Sequence, residues 1–294
     1  MGKIRKVLIG AFVAFAASML FTTPVMAEEL PQSEYEPGWH WTEGEYEGGW
    51  IYVFEDYTLA SDGVYSIAGK EYAFDYQCIM LYGAARVYDE DTGEEKYLYA
   101  DPKQDGAINR TPGWKSITEE YADGDSYTTW YYVGEDGYLY SLDFYIIDGK
   151  EYYFFLGTMT VGIFEVHASD GESAIYITDE NGVVDRRQGW KKRTYRSGDE
   201  WYYSGDEGAL YREGFYTING KEYYFDEYCQ LETGVFCVYT SKGNAWFFSD
   251  SEGVIWRTPG WKGVPDGYGD YLWYYITEDG SLVEGRLYII YGLD

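Results

Sequence analysis

The chain copies itself, and a chain of copies folds as a row of like pieces, each burying its apolar face against the next. Phe215-Tyr-Thr-Ile-Asn-Gly-Lys221 returns as Val64-Tyr-Ser-Ile-Ala-Gly-Lys70 and as Phe144-Tyr-Ile-Ile-Asp-Gly-Lys150, with a degraded copy at Leu287-Tyr-Ile-Ile-Tyr-Gly-Leu293. The first three copies continue into Glu222-Tyr-Tyr-Phe225, Glu71-Tyr-Ala-Phe74 and Glu151-Tyr-Tyr-Phe154. A second landmark, Gly-Trp, stands at Trp39, Trp114, Trp190 and Trp261, at spacings of 75, 76 and 71 residues. These landmarks divide the chain into repeat units 37–111, 112–188, 189–259 and a partial unit 260–294.

Each unit divides again into three segments of one design: an aromatic run, a turn rich in Gly, Asp, Glu or Asn, and a second apolar run. In the third unit these are Trp201-Tyr-Tyr with Asp206-Glu-Gly208, Tyr223-Tyr-Phe with the turn near Cys229, and Trp246-Phe-Phe with Ser251-Glu-Gly253. Asp-Gly, Glu-Gly and Asn-Gly between strand-like runs signal hairpins, because a tight turn needs a positive φ that Gly and Asn adopt at little cost. Aromatic residues make up 21% of the chain, and they suit a pleated, half-buried surface. A lone hairpin is marginal in water. The expected fold is therefore all-β, with tandem β-hairpin repeats stacked as a solenoid. Trp130-Tyr131-Tyr132-Val133 is apolar on both faces and predicts a strand covered on both sides.

The first residues read as an export signal. Lys3, Arg5 and Lys6 precede an apolar run from Val7 to Phe21, and Val25-Met-Ala27 supplies the small residues of a cleavage site. Residues 1–27 are thus expected to be removed, leaving a short acidic linker over 28–36 and the repeats over 37–294. The formal charge of -29 becomes about -32 once three basic residues leave. Such a surface repels nucleic acid and anionic lipid, and it also keeps an aromatic-rich exported chain in solution. Neither a nucleic-acid partner nor a membrane partner after signal cleavage is expected. Three cysteines, Cys78, Cys229 and Cys237, do not make a disulfide framework, although the last two are close enough in sequence to pair.

Gly189-Trp-Lys191, Trp201-Tyr-Tyr203, Gly208-Ala-Leu210, Gly214 and Ile218-Asn-Gly-Lys-Glu-Tyr-Tyr-Phe-Asp226 together resemble consecutive repeats of the choline-binding and glucan-binding cell-wall modules. Gly113-Trp-Lys115 with Trp130-Tyr-Tyr132, and Gly260-Trp-Lys262 with Trp273-Tyr-Tyr275, show the same pattern. Carbohydrate-binding tails of clostridial toxins are similar. The resemblance implies stacked hairpins and a cage of aromatic faces for a quaternary ammonium, which has no hydrogen to donate. Carried over, the cages are Trp39, Trp50 and Tyr72; Trp114, Trp130 and Tyr153; and Trp190, Trp201 and Tyr224. Trp261 and Trp273 are half of a fourth. Gly-Trp precedes one hairpin in three here rather than each one, and Cys229 stands where the family's turn has Gly.

The expected function follows: a secreted, non-enzymatic protein of the cell surface. It would bind cell-wall teichoic acid choline or a surface glucan without a covalent bond. The alternative is a structural, adhesin-like protein whose rings are all core and whose partner is a host or surface protein. Only His40 and His167 are available for acid–base work, and neither lies in a nucleophile motif. No cofactor or metal site is expected. Asp89-Glu-Asp-Thr-Gly-Glu-Glu95 misplaces the glycine of an EF-hand loop. Arg186, Arg187, Lys191, Lys192, Arg193 and Arg196 form a basic island, read as a wet surface paired with acidic loops rather than an anion clamp.

Overall fold

The computed structural model describes residues 31–43, 48–89, 93–121, 124–168, 171–195, 198–240, 243–265 and 271–283. The export signal, part of the acidic linker, the centre of the acidic loop near Asp89, Arg196 and the degraded fourth copy lie outside the described residues. The described chain is strands joined by turns, with two single-turn 3-10 segments, and it divides into two compact units at Asp185 and Arg186.

The first unit carries six antiparallel hairpins. They pair Gly38–Thr42 with Gly49–Val53, Gly63–Ile67 with Lys70–Phe74, Gly83–Tyr88 with Glu95–Asp101, Gly113–Glu120 with Ser126–Val133, Asp143–Ile147 with Lys150–Phe155, and Ile163–His167 with Ser173–Ile177. The second unit carries four: Gly189–Tyr195 with Gly198–Ser204, Gly214–Ile218 with Lys221–Phe225, Gly234–Thr240 with Gly243–Ser249, and Gly260–Pro265 with Tyr271–Ile276. They are called hairpins one to ten in chain order.

Two kinds of turn recur. Ala68-Gly69, Asp148-Gly149 and Asn219-Gly220 close hairpins two, five and eight with positive φ at both residues, at 51° and 81°, 50° and 73°, and 50° and 76°. That is the mirror-image turn whose twist matches paired strands. The second kind follows a hairpin and redirects the chain. Asp226 Oδ1 accepts the amides of Tyr228 at 2.9 Å and Gln230 at 2.7 Å. Asp75, Asp179 and Asp250 do the same for the residues two and four further on. The side chain stands in for a backbone acceptor, which is why Asp heads these turns.

The segment after each such turn lies along the preceding hairpin. Met80 N donates to Trp50 O, Leu139 N to Tyr97 O and Val184 N to Glu151 O, each at 2.8 Å. In the second unit Leu231 N donates to Trp201 O, Ile255 N to Glu222 O and Leu282 N to Trp246 O, at 2.7–2.8 Å. Within each unit the hairpins therefore stack in series. Aromatic and aliphatic side chains fill the space between them. Phe74, Phe154 and Phe225 are at most 2% exposed, and each contributes about 2–3 kcal/mol by burial. Arg110 clasps Glu71 with two hydrogen bonds, and Arg257 clasps Glu222 the same way.

The strand at Trp130 is covered on both faces at Tyr132, which is half-buried against the next hairpin, but not at Trp130 itself. Tyr131 and Val133 are buried, whereas Trp130 is 41% exposed. Successive side chains point to opposite faces, so Trp130 shares the face of Tyr132. Cys78, Cys229 and Cys237 are free thiols. Cys78 and Cys229 take the left-handed turn position, at φ 68° and 65°, that glycine holds in the equivalent turns.

Candidate functional site

The Gly-Trp tryptophan opens the first strand of hairpins one, four, seven and ten, and a tyrosine faces it across the ladder. The pairs are Trp39 with Tyr52, Trp114 with Tyr132, Trp190 with Tyr203 and Trp261 with Tyr275. The second tryptophan is two residues before that tyrosine and so shares its face. In hairpin four Trp114 and Trp130 stand 6.2 Å apart at 86°. In hairpin seven Trp190 and Trp201 stand 6.5 Å apart at 83°. Both are two perpendicular walls.

The next hairpin adds a third wall. Tyr152 approaches Trp114 to 5.0 Å at 72°, and Tyr223 approaches Trp190 to 5.0 Å at 73°. Behind each Gly-Trp ring lies a sealed phenylalanine, Phe154 or Phe225, with centroids 6.0 Å away. The third wall is thus Tyr152 and Tyr223, where the sequence pattern had suggested Tyr153 and Tyr224. Those two point to the opposite face. Tyr153 stacks on Phe164 at 4.7 Å, and Tyr224 stacks on Phe236 at 5.2 Å. In a strand reading Tyr-Tyr-Phe, only the residue two positions from the buried Phe shares its side. The copy at Glu71-Tyr72-Ala73-Phe74 held the signal, because alanine replaces the tyrosine that is not needed there. Tyr72 indeed meets Trp39, at 4.9 Å.

In the first unit the walls enclose a cleft of ≈ 560 Å³, lined also by Thr128, Met159, Val161, Glu180 and Asn181. In the second the cleft is ≈ 500 Å³, lined also by Asp199, Glu200, Leu231, Thr233, Ser251 and Glu252. Met159, Val161, Leu231 and Thr233 follow the turns after hairpins five and eight, and pattern reading overlooked them. Trp201 is 43% exposed. Both clefts offer flat ring faces to solvent rather than sealed core.

The electrostatics differ. Burial raises the Tyr152 hydroxyl above its ordinary range, and Asp179 and Asp148 add to it. Glu180 makes no ion pair among the described residues. In the second unit Lys192 Nζ holds Asp199 Oδ2 at 2.6 Å, and Thr194 Oγ1 donates to Asp199 Oδ1 at 2.7 Å. The Lys192 hydrogen bond, then that of Thr194, lowers the Asp199 carboxyl below its usual range. Of the basic island, Lys192 is therefore fastened to a residue that lines the cleft, Asp199. Arg193 lies over Tyr195 and Arg186 reaches Glu207 O.

At the other two positions Trp50 contacts Trp41, at 5.6 Å, and Trp261 is 54% exposed beside Tyr275. Trp273 is 6.4 Å from Tyr271.

No family model matches the chain, and no curated protein matches it. Among solved structures it is similar to choline-binding protein F of Streptococcus pneumoniae, at 20% identity and TM-score 0.41, over 85% of this chain and 94% of that one. It is also similar to CbpJ of Streptococcus pneumoniae, at 19% identity and TM-score 0.31, over 84% and 94%. A third is the modular autolysin LytC of Streptococcus pneumoniae, in complex with a synthetic peptidoglycan ligand. There the identity is 15% and the TM-score 0.27, over 84% of this chain and 53% of that one.

Proposed function

We propose that the chain is an exported binding protein that holds a quaternary ammonium group, borne by a cell-surface polymer, in the Trp114–Trp130–Tyr152 cleft. The observation that carries this reading is the box of three ring faces, two of them perpendicular, with a carboxylate at Glu180 that makes no ion pair among the described residues. A trimethylammonium offers no donor for a hydrogen bond, so ring quadrupoles and a nearby negative charge are what recognise it. Each ring contributes about 1 kcal/mol at a partly exposed site. Three rings with some methyl burial reach about millimolar affinity. A polymer bearing many such groups raises this by effective concentration, which suits non-covalent attachment to a wall.

The test is retention and titration. The chain from residue 28 is passed over choline-agarose, over glucan and over isolated choline-bearing cell walls, and titrated with choline by calorimetry. Retention on the first and third, and millimolar binding lost in Trp130→Ala with an unchanged far-UV circular dichroism spectrum, is the expected result. Retention on glucan alone moves the function to saccharide stacking. Flow-through on all three columns refutes wall attachment and leaves the protein-partner reading.

A further inference from the structure

The four Gly-Trp hairpins differ at one position that their shared frame points at the site. The residue two beyond the Gly-Trp tryptophan pairs directly with the second tryptophan. The pairs are Trp41 with Trp50, Ser116 with Trp130, Lys192 with Trp201 and Gly263 with Trp273. A Cβ added at Gly263 would come to 3.2 Å from the Trp273 ring. A side chain at this position therefore lies against the indole it faces. The tryptophan at 41 sets its own ring against Trp50 at 5.6 Å. The serine at 116 is too short to cover Trp130. The lysine at 192 extends its ammonium to 5.6 Å from the Trp201 ring centre, where Asp199 fastens it at 2.6 Å.

We propose that this position is a specificity gate, and that Lys192 bars a quaternary ammonium from the Trp190–Trp201–Tyr223 cleft while Ser116 leaves the Trp114–Trp130–Tyr152 cleft open to one. The inference rests on the ammonium reading of the open cleft. An indole face attracts one cation within about 6 Å, and a second cation brought to the same ring meets the first at a distance where like charges repel. Asp199 holds Lys192 near the ring and accepts a hydrogen bond from Thr194 besides. The carboxylates divide the same way. Glu252 at the second cleft is held by Lys221 at 3.5 Å, and Asp199 by Lys192, whereas Glu180 at the first is unpaired among the described residues. The two clefts have the same walls, and only the second has an ammonium of the chain beside its second tryptophan, fastened to the lining carboxylate Asp199.

The test exchanges the two residues. Choline is titrated by calorimetry into the wild-type chain from residue 28, Ser116→Lys, Lys192→Ser and the double exchange, each confirmed folded by near-UV circular dichroism. In the wild type, Trp130→Ala removes choline binding and Trp201→Ala leaves it unchanged. Ser116→Lys weakens binding at least tenfold. Lys192→Ser adds a binding event that Trp201→Ala, introduced in the same background, removes again. The double exchange moves sensitivity from Trp130→Ala to Trp201→Ala. A wild type in which Trp201→Ala already removes a choline site overturns the gate while the ammonium reading stands. So does a Lys192→Ser chain that gains nothing. A wild type whose Trp130 cleft takes no choline overturns the ammonium reading, and the gate falls with it.

Discussion

The clefts on Trp114 and Trp190 are two castings of one mould. Their tryptophan separations differ by 0.3 Å, from 6.2 to 6.5 Å, and their tyrosines meet the Gly-Trp ring at the same 5.0 Å. What differs is the lining. Met159 becomes Leu231, Val161 becomes Thr233 and Thr128 becomes Asp199, and opposite the second tryptophan Ser116 becomes Lys192. Ring geometry is held by the ladder and by the phenylalanine sealed behind it. The rim residues bear none of that load, so the ligand preference of one copy can change without disturbing the frame.

If the frame is common, damage to it costs the same on both sides. Phe154→Ala and Phe225→Ala each remove a ring with no solvent exposure, and each is expected to lose about 3–5 kcal/mol in urea denaturation. A difference of more than about 2 kcal/mol between them breaks the equivalence, since cavity costs at like sites scatter by roughly that much.

The glycines beneath the two clefts give a finer comparison. Gly182 and Gly253 both turn at positive φ, 79° and 80°. A Cβ at Gly182 would sit 2.5 Å from Met159 Cε, and one at Gly253 would sit 2.6 Å from Leu231 Cδ2. Alanine there costs about 1–2 kcal/mol from the backbone and the crowding together. Unbranched Met159 yields more readily than Leu231. Gly182→Ala is therefore the milder change, and thermal midpoints of the two variants check the order.

Ser204 closes hairpin seven where Val53 and Val133 close hairpins one and four, and all three are sealed from water. The Ser204 hydroxyl has no hydrogen-bond partner among the described residues. Ser204→Val is expected to stabilise the chain by about 1 kcal/mol, read from the denaturant midpoint. A loss instead means that the space around residue 204 is tighter than that around Val133. The smallest effect belongs to the clasps. Arg110→Ala and Arg257→Ala each remove a bidentate but partly exposed pair, and each is expected to cost about 0.5–1 kcal/mol, less at high salt.

Much of this was legible in the sequence. The repeat at Ile218-Asn-Gly-Lys221 foretold a hairpin, because Asn-Gly accepts positive φ at both turn residues, and the turn at Asn219 and Gly220 has it. Asp206-Glu-Gly208 and Ser251-Glu-Gly253, read as hairpin turns, instead follow hairpins seven and nine and redirect the chain, because both kinds of turn ask for the same positive-φ residue. The pairing of the tryptophans came from the family resemblance, and the strand register sets Trp114 and Trp130, and Trp190 and Trp201, close together. The third wall was misread by one residue at Tyr153 and Tyr224, where two adjacent tyrosines make the faces chemically alike and only strand register separates them.

By itself the sequence determined the unit of construction: short strands, tight turns and a surplus of rings that must stack to leave water. Repetition and turn chemistry are local properties, readable a few residues at a time. Tertiary structure alone decided which tyrosine faces which tryptophan, and that the exposed Lys192 of the basic island finds its acidic partner, Asp199, beside an indole. Those facts depend on register and on the neighbouring hairpin, two quantities that residues brought together across a ladder share and that no single stretch of chain contains.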